Sequence, residues 1–137
     1  MKTFIILVFL LFLTTVSAAA DIVVIGNLDT DISSLSSKQV QEIFLGRTRV
    51  FSDGSRVFPL DVSDLRVEFY QKLTHRPIEQ IDGYWARLQF SGRSSPPELK
   101  KDQQAVVAAV KENRGVVAYI ERKIVDETQV KILFSVK

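Results

Sequence analysis

The sequence predicts an α/β domain in which a mixed or parallel sheet carries helices on its faces. Residues 22–25 and 116–120 are continuously apolar and rich in β-branched side chains, which is typical of strands buried on both faces. Between them, apolar residues recur every three or four positions, as on one face of a helix. Strands that alternate with helices favour this fold class.

The first twenty residues are predicted to form a cleavable signal peptide. Lys2 precedes an unbroken apolar run over residues 4–13, which is shorter than the roughly twenty residues that a membrane span needs. Small residues at 17–20 offer a cleavage site just before Asp21 or one or two residues earlier. The alternative is an uncleaved N-terminal anchor. Because the chain has no cysteine, a lipid anchor at a processed N-terminus and a disulfide framework are both excluded.

Composition limits the function of the remaining domain, residues 21–137. The chain has 18 basic and 16 acidic side chains, and Lys2 leaves with the leader, so the mature charge is close to balanced. A nucleic-acid partner requires a clustered basic excess, so we expect none. About 117 residues supply one domain with its own core. We expect this domain to reside in a bacterial periplasm.

Local signals predict the elements that follow the first strand, which we expect to be central and parallel. Ser36 and Gln39 form a capping box, with Leu35 placed to pack on Val40, and Gly46 is placed to end that helix in the left-handed conformation. Residues 52–55 predict a turn between two short apolar segments.

The second half of the chain predicts three more helices and two strands. Pro59 indicates an edge strand or a strand end, and Asp102 is placed to cap a helix before the buried strand at 116–120. Residues 90–97 are predicted to be a loop. Four apolar residues of the last strand are expected to share one face: Val130, Ile132, Phe134 and Val136. The helical stripes consist of Leu65, Phe69, Tyr70 and Leu73, then Ile78, Ile81, Trp85 and Leu88 after Pro77, and finally Val106, Val107 and Val110.

Catalysis and cofactor binding have little support in the sequence. The chain has no G-x-S-x-G, H-E-x-x-H, P-loop or G-x-G-x-x-G motif, and its only histidine, His75, is expected to lie exposed at a helix end. Asp61 and Asp64 are expected to cap the helix that follows them. An acid/base pair built from these carboxyl groups, and hence an exported hydrolase, is the alternative. We therefore expect a protein without enzymatic activity, metal or cofactor.

Two polar loops are predicted to hold an anion. Ser63 and Arg66 lie at a predicted helix start, while Ser91, Gly92 and Arg93 lie in the long loop. Backbone amides, hydroxyls and guanidinium groups are all donors to an oxyanion. Ordinary capping and surface solvation are the alternative, because Asp61 and Asp64 would occupy the position that an anion would take.

The two aromatic residues of the third predicted helix have different expected roles. Trp85 follows the apolar stripe of that helix and is expected in the core. Tyr84 cannot share its face, which leaves Tyr84 for a loop or partner contact.

A series of motifs resembles the phosphate-type substrate-binding proteins of bacterial ABC transporters, which have the type II periplasmic-binding-protein fold. The resemblance runs over nearly the whole mature chain and is closest to small exported members that consist of a single lobe. The matching motifs are the segment from L-S at 35–36 to I-F-L-G-R at 43–47, D-G at 53–54, P-L-D at 59–61 followed by F-Y at 69–70, Y-W at 84–85, the helical residues 106–110 and G-V-V-A-Y-I at 115–120.

The resemblance implies a periplasmic binding domain for phosphate or a similar small anion. The ligand would meet loops at the carboxyl ends of strands. Full-size relatives grip phosphate with an R-x-D-G-S-G-T-like loop, whereas residues 61–66 here read D-V-S-D-L-R. Asp61 stands near the expected arginine, and Ser63 is the surviving hydroxyl. A single lobe would need its second wall from a second copy, an ABC permease or another periplasmic or membrane protein. The alternative is an accessory or sensory interaction module that has lost the pocket.

Overall fold

The computed structural model describes residues 19–137, so the predicted signal peptide, apart from its last two residues, lies outside the described part. Within that part, none of the helices is long and apolar enough to cross a membrane. The strands are β1 (Ile22–Asn27), β2 (Phe58–Val62), β3 (Glu98–Lys100), β4 (Val116–Glu121) and β5 (Val130–Ser135). The helices are α1 (Ser37–Phe44), α2 (Arg66–Thr74), α3 (Ile78–Phe90) and α4 (Gln103–Glu112).

The five strands form one mixed sheet, which confirms the predicted fold class. Their order is β3-β2-β4-β1-β5. β2 runs parallel to both β3 and β4, and β1 runs antiparallel to both β4 and β5. The prediction that β1 is buried and internal is confirmed, but the parallel direction is wrong. A continuous apolar run reports burial on both faces and carries no information on strand direction.

The start and end of α1 agree with the predicted capping. The Ser36 hydroxyl accepts a hydrogen bond from the Gln39 amide at 3.1 Å, and the Gln39 side chain accepts one from the Ser36 amide at 2.8 Å. Leu35 and Val40 are both buried. Gly46 has a φ of 70°, a left-handed conformation that glycine adopts without a side-chain clash.

The prediction for Pro59 was ambiguous, and the short strand β3 was not predicted. β2 is an internal strand, but Pro59 pairs only with β4, since pairing with β3 begins at Leu60. The strand-end interpretation of Pro59 is therefore correct, and the edge-strand interpretation is wrong. The sequence did not reveal β3, because three residues with two exposed side chains are too short for any alternation to be read.

The last strand contains a β-bulge that reverses part of the predicted alternation. Between Ile132 and Phe134, Leu133 is an extra residue in the pairing with β1. Leu133 is buried, whereas Ile132 and Phe134 are only half-buried. The close approach requires Gly26, because a Cβ at that position would lie 2.6 Å from Leu133 Cδ1. The predicted alternation is therefore interrupted at Leu133, and Ile132 and Phe134 pack against the core as partly buried residues.

The helices pack their predicted faces on the sheet and on one another. Trp85 is buried, which confirms its place in the core. The Tyr84 hydroxyl donates a 2.6 Å hydrogen bond to the Leu45 carbonyl, so Tyr84 makes the expected loop contact. His75 is exposed at the end of α2, as expected. Asp102 caps α4 through the Ala105 amide at 2.9 Å.

Alanine substitutions at two glycines should change the free energy of unfolding in opposite directions. In Gly115→Ala the new Cβ would lie 2.6 Å from the Arg56 carbonyl oxygen, so backbone must shift and we expect a loss of about 1–3 kcal/mol of unfolding free energy. In Gly83→Ala, inside α3, the nearest atom would be Arg87 Nη1 at 3.7 Å, and we expect a gain of about 0.5–1 kcal/mol. Urea unfolding of both variants measures the difference. Equal effects would contradict the close approach of Gly115, just before β4, to Arg56, just before β2.

Candidate functional site

The candidate site lies where β2 ends and α2 begins. Asp61 and Val62 are the last two residues of β2, and Ser63 follows them at the surface. The Ser63 amide donates to the Lys100 carbonyl at 3.0 Å, which joins the carboxyl ends of the parallel strands β2 and β3. In open α/β sheets, loops at the carboxyl ends of parallel strands are the usual place for a ligand.

Asp61 is the most unusual residue of this region because it is a buried carboxylate. Its exposed fraction is 1%. Oδ1 accepts hydrogen bonds from the hydroxyls of Tyr70 at 2.9 Å and Tyr119 at 3.0 Å. Oδ2 lies 3.4 Å from Nε of Arg66. Three donors from α2 and β4 therefore surround one carboxylate, which is the arrangement that a buried charge requires.

The prediction that Asp61 and Asp64 cap α2 is wrong. The N-cap of α2 is Leu65, and no side chain forms a capping hydrogen bond there. Asp61 is still within β2, so its side chain points into the fold instead of toward the helix start. Asp64 is exposed, and its Oδ2 lies 3.3 Å from Gln103 Nε2. Turn residues before a helix are ambiguous in sequence, because a strand can continue further than expected.

Two tyrosines hold the Asp61 carboxylate in a rigid setting. The Tyr119 ring stacks on Phe69 at a centroid distance of 3.7 Å. The Tyr119 hydroxyl also accepts a 3.2 Å hydrogen bond from the Val62 amide. Tyr70 is fully buried, and its hydroxyl lies near the Phe44 carbonyl at 3.4 Å. Packing and hydrogen bonds thus fix both donors before any ligand arrives.

Burial sets the protonation behaviour of this cluster. It raises the pKa of Asp61 from 3.8 to about 6, although the hydrogen bonds from Tyr70 and Tyr119 and the charge of Arg66 act in the opposite direction. Burial, together with the neighbouring Asp61 charge, also raises the pKa of both tyrosines. At neutral pH the tyrosines remain donors and Asp61 is mostly ionised, so the protein supplies its own anion at this position.

Arg66 is shared between two carboxylates. Its Nη2 lies 2.7 Å from Oδ1 of Asp82 on α3, in addition to the contact with Asp61. Its guanidinium also lies over the Tyr70 ring at 5.6 Å. Asp82 is largely exposed, so an incoming anion would compete with Asp82 for the outer face of Arg66.

Other charges at this edge of the sheet are mostly neutralised in pairs. Lys100 lies 2.7 Å from Glu98, and Lys123 lies 3.1 Å from Glu121. The Gln103 side chain donates to Glu121 and accepts from the Glu121 amide. Pairing therefore neutralises most of the charges described at this edge, and Arg66 itself is held by Asp61 and Asp82. Ser63 is exposed, and the exposed Lys101 has no ion-pair partner in the described part of the chain.

The second predicted loop lies apart from Ser63 and Arg66. Ser91 is the C-cap of α3, Gly92 has a φ of 69° and Arg93 is exposed. All three backbone amides donate to carbonyls of the last turn of α3. Along α3, Ser91 is about 13 Å from Asp82, the partner of Arg66. Within residues 19–137, no hydrogen bond or ion pair joins the two loops, so their joint role in binding stays a prediction.

Sequence reasoning missed the residues that organise the site, namely Tyr70, Tyr119 and Asp82. One signal was present. Tyr119 lies in an otherwise apolar buried strand, and a buried tyrosine hydroxyl normally needs a polar partner. Asp61, at the end of the neighbouring strand, is that partner.

Comparison with solved structures identifies this architecture. A phosphate ABC transporter substrate-binding protein from Clostridium perfringens, with bound phosphate, superposes with a TM-score of 0.65 at 14% identity, covering 83% of this chain and 44% of that one. An ABC-type phosphate transport receptor from Vibrio cholerae gives 0.64 at 15%, covering 83% and 45%. PstS from Borrelia burgdorferi gives 0.59 at 11%, covering 83% and 46%.

The fold of this chain matches about half of the fold of these substrate-binding proteins. The fold and the likeness to phosphate-type proteins expected from the sequence are thereby confirmed. The chain spans less than half the length of these structures. No protein-family profile and no curated protein matches the sequence, so the likeness rests on the fold.

The raised pKa of Asp61 predicts that its contribution to the free energy of unfolding decreases as the pH rises. Native Asp61 binds its proton more tightly than the unfolded chain does, so its contribution to stability is present below pH about 4 and is lost as the pH rises through about 6. The amide introduced by Asp61→Asn does not titrate. We expect the wild-type-minus-variant free energy of unfolding to fall by about 2 kcal/mol between pH about 4.5 and about 7.5.

Urea unfolding at several pH values measures this difference, and other acidic groups cancel from it. The same comparison of Asp61 with Asp61→Asn can be made in a Tyr70→Phe background, which removes one donor to Asp61. The pH range over which the difference falls should then move to higher pH. A difference that stays constant, or that grows with pH, would contradict the described cluster.

Proposed function

We propose that this chain is an exported, non-enzymatic binding domain of the phosphate-binding-protein type, with phosphate or a similar small anion as its ligand. The leader-like residues 1–20 support export to the periplasm. The fold neighbours support a binding role, and one of them contains bound phosphate. Transport with an ABC permease is part of this proposal.

One observation carries the proposal. Arg66 and the exposed Ser63 lie together at the carboxyl end of β2, where binding proteins of open α/β architecture meet their ligands. A guanidinium and a hydroxyl are both donors to oxyanions. An anion there would displace Asp82 from Nη2 of Arg66, while Nε of Arg66 keeps its contact with the buried Asp61.

The expected affinity is low. The chain spans less than half the length of its structural neighbours, and small-ligand sites usually bury most of the ligand surface. An anion on Ser63 and Arg66 alone stays partly solvated, so we expect a Kd of about 1 mM. A second copy of the chain or another periplasmic protein would supply a second wall.

Phosphate titration followed by amide NMR tests the proposal with variants of opposite sign. Ser63→Ala removes a donor and should weaken binding about threefold. Asp82→Asn removes the carboxylate that competes for Arg66, and the anion should bind about two- to fivefold more tightly. Ser52→Ala, at another exposed serine, is the matched control and should leave the Kd unchanged.

Amide shifts at residues 61–66 with this pattern of variants would support the proposal. If millimolar phosphate shifts no amide between 61 and 66, or if Asp82→Asn weakens binding, the proposed site is wrong. Additional shifts at residues 91–93 would bring the second predicted loop into the site.

An accessory or sensory interaction module is the second candidate function. The observation that favours it is the buried Asp61 carboxylate, which already occupies Tyr70, Tyr119 and one face of Arg66. In addition, Phe90 at the end of α3 is 97% exposed, so its ring is free to contact a partner.

Site-specific crosslinking distinguishes this second candidate. A photoreactive residue at position 90 should give one defined crosslinked species in the periplasm, and the same residue at position 52 should give none. The species should disappear in Arg93→Glu, which reverses the charge of an exposed side chain three residues further along the chain. Recovery of monomer alone from position 90 would count against the interaction module.

A further inference from the structure

A polar cleft lies where three helices meet, apart from the end of β2. Its walls are the C-terminal ends of α1 and α2 and one face of α3, and its volume is about 330 Å³. This volume is within the usual range of small-molecule sites. The cleft is not lined by any of the residues that the sequence predicted to bind an anion, namely Ser63, Arg66, Ser91, Gly92 and Arg93.

Three arginines line this cleft, which we call the arginine cleft. Arg47 follows α1, Arg76 follows α2, and Arg87 lies in the last turn of α3. Within residues 19–137, none of them has a carboxylate within 4.0 Å, whereas Arg66 and Arg122 do. Their guanidinium groups are therefore not occupied by internal ion pairs.

The charge balance of the arginine cleft is positive. Glu79 is its only lining carboxylate, against three guanidinium groups. A cation near a helix C-terminus interacts favourably with the helix dipole, which explains the position of each arginine taken alone. It does not account for the three lining one cleft, since like charges brought together repel. A bound anion with more than one negative charge would relieve that repulsion.

The walls of the arginine cleft are fixed by hydrogen bonds. Gln41 Nε2 donates to the Leu73 carbonyl at 2.9 Å, which joins α1 to α2. Tyr84 donates to the Leu45 carbonyl at 2.6 Å, which joins α3 to the end of α1. A cleft with fixed walls loses little conformational entropy when a ligand enters.

We propose that the arginine cleft binds a small molecule that carries a phosphate monoester group. Guanidinium groups bind phosphate oxygens in a bidentate manner, and three of them match a dianionic group. The volume leaves room for an organic portion beside the phosphate, against Leu45 and the Tyr84 ring. The proposal is independent of the site at Ser63 and Arg66, because the two sites share no residue.

Amide NMR titration of the full mature domain tests this proposal with two probes, glycerol 3-phosphate and inorganic phosphate. The triple variant Arg47→Gln, Arg76→Gln and Arg87→Gln should weaken glycerol 3-phosphate binding about tenfold. The matched control changes the same net charge at three exposed cations outside the cleft: Lys38→Gln, Arg56→Gln and Arg114→Gln. It should change the Kd by less than about twofold.

A second variant does not depend on removing arginines. Glu79→Gln removes the repulsive carboxylate and should tighten binding about two- to fivefold. A variant that only disturbed folding would not tighten binding. Circular dichroism and thermal melting of each variant verify that it is folded.

The outcomes separate the two sites. Shifts at Arg47, Gly83 and Arg87 that are lost in the triple variant, with glycerol 3-phosphate binding more tightly than inorganic phosphate, support the proposal. Equal affinity for both probes at the cleft would show a site for free phosphate and would contradict the proposal that the cleft also binds the organic part of a phosphate monoester. Shifts confined to residues 61–66, no shifts at all, or equal weakening in the control would overturn the arginine cleft.

Discussion

The architecture depends on the neutralisation of one buried charge. Asp61 lies in an internal strand with a 1% exposed fraction, and its carboxylate is tolerated because α2 supplies Tyr70 and Arg66 while β4 supplies Tyr119. A buried pair that loses one partner is strongly destabilised, whereas the complete set can be close to neutral. The relative placement of β2, β4 and α2 is therefore constrained by the geometry of this cluster in addition to apolar burial. Arg66 extends the constraint to α3 through Asp82.

The parts of the fold that the sequence predicted are those with a strong local cause. The capping box at Ser36, the left-handed Gly46 and the cap at Asp102 depend on residues within one or two turns, so they can be recognised without tertiary information. The direction of β1, the short strand β3 and the bulge at Leu133 depend on which strands become neighbours. That pairing is decided by contacts between distant segments, and apolar patterns record burial without recording the partner.

The sequence predicted where Ser63 and Arg66 lie in the fold, but not the residues that surround them. Ser63 and Arg66 lie at the strand end that the resemblance indicated, yet the sequence suggested a capping role for Asp61 because aspartate before a helix usually caps it. The strand continues through Asp61 to Val62, so the Asp61 carboxylate points into the fold and not toward the start of α2. The arginine cleft was not visible at all, since Arg47, Arg76 and Arg87 lie in three separate segments that only packing brings together.

The pairing of the first strand with the last has a consequence for how the chain acquires its structure. β5 forms one edge of the sheet beside β1, and the Lys131 side chain donates to the Thr30 carbonyl across 101 positions of sequence. Synthesis proceeds from the N-terminus, so β1 lacks one hydrogen-bonding neighbour until the final strand has been made. Folds dominated by such distant contacts form slowly. Residues 22–27 therefore remain without their native strand partners until nearly the whole chain has been synthesised.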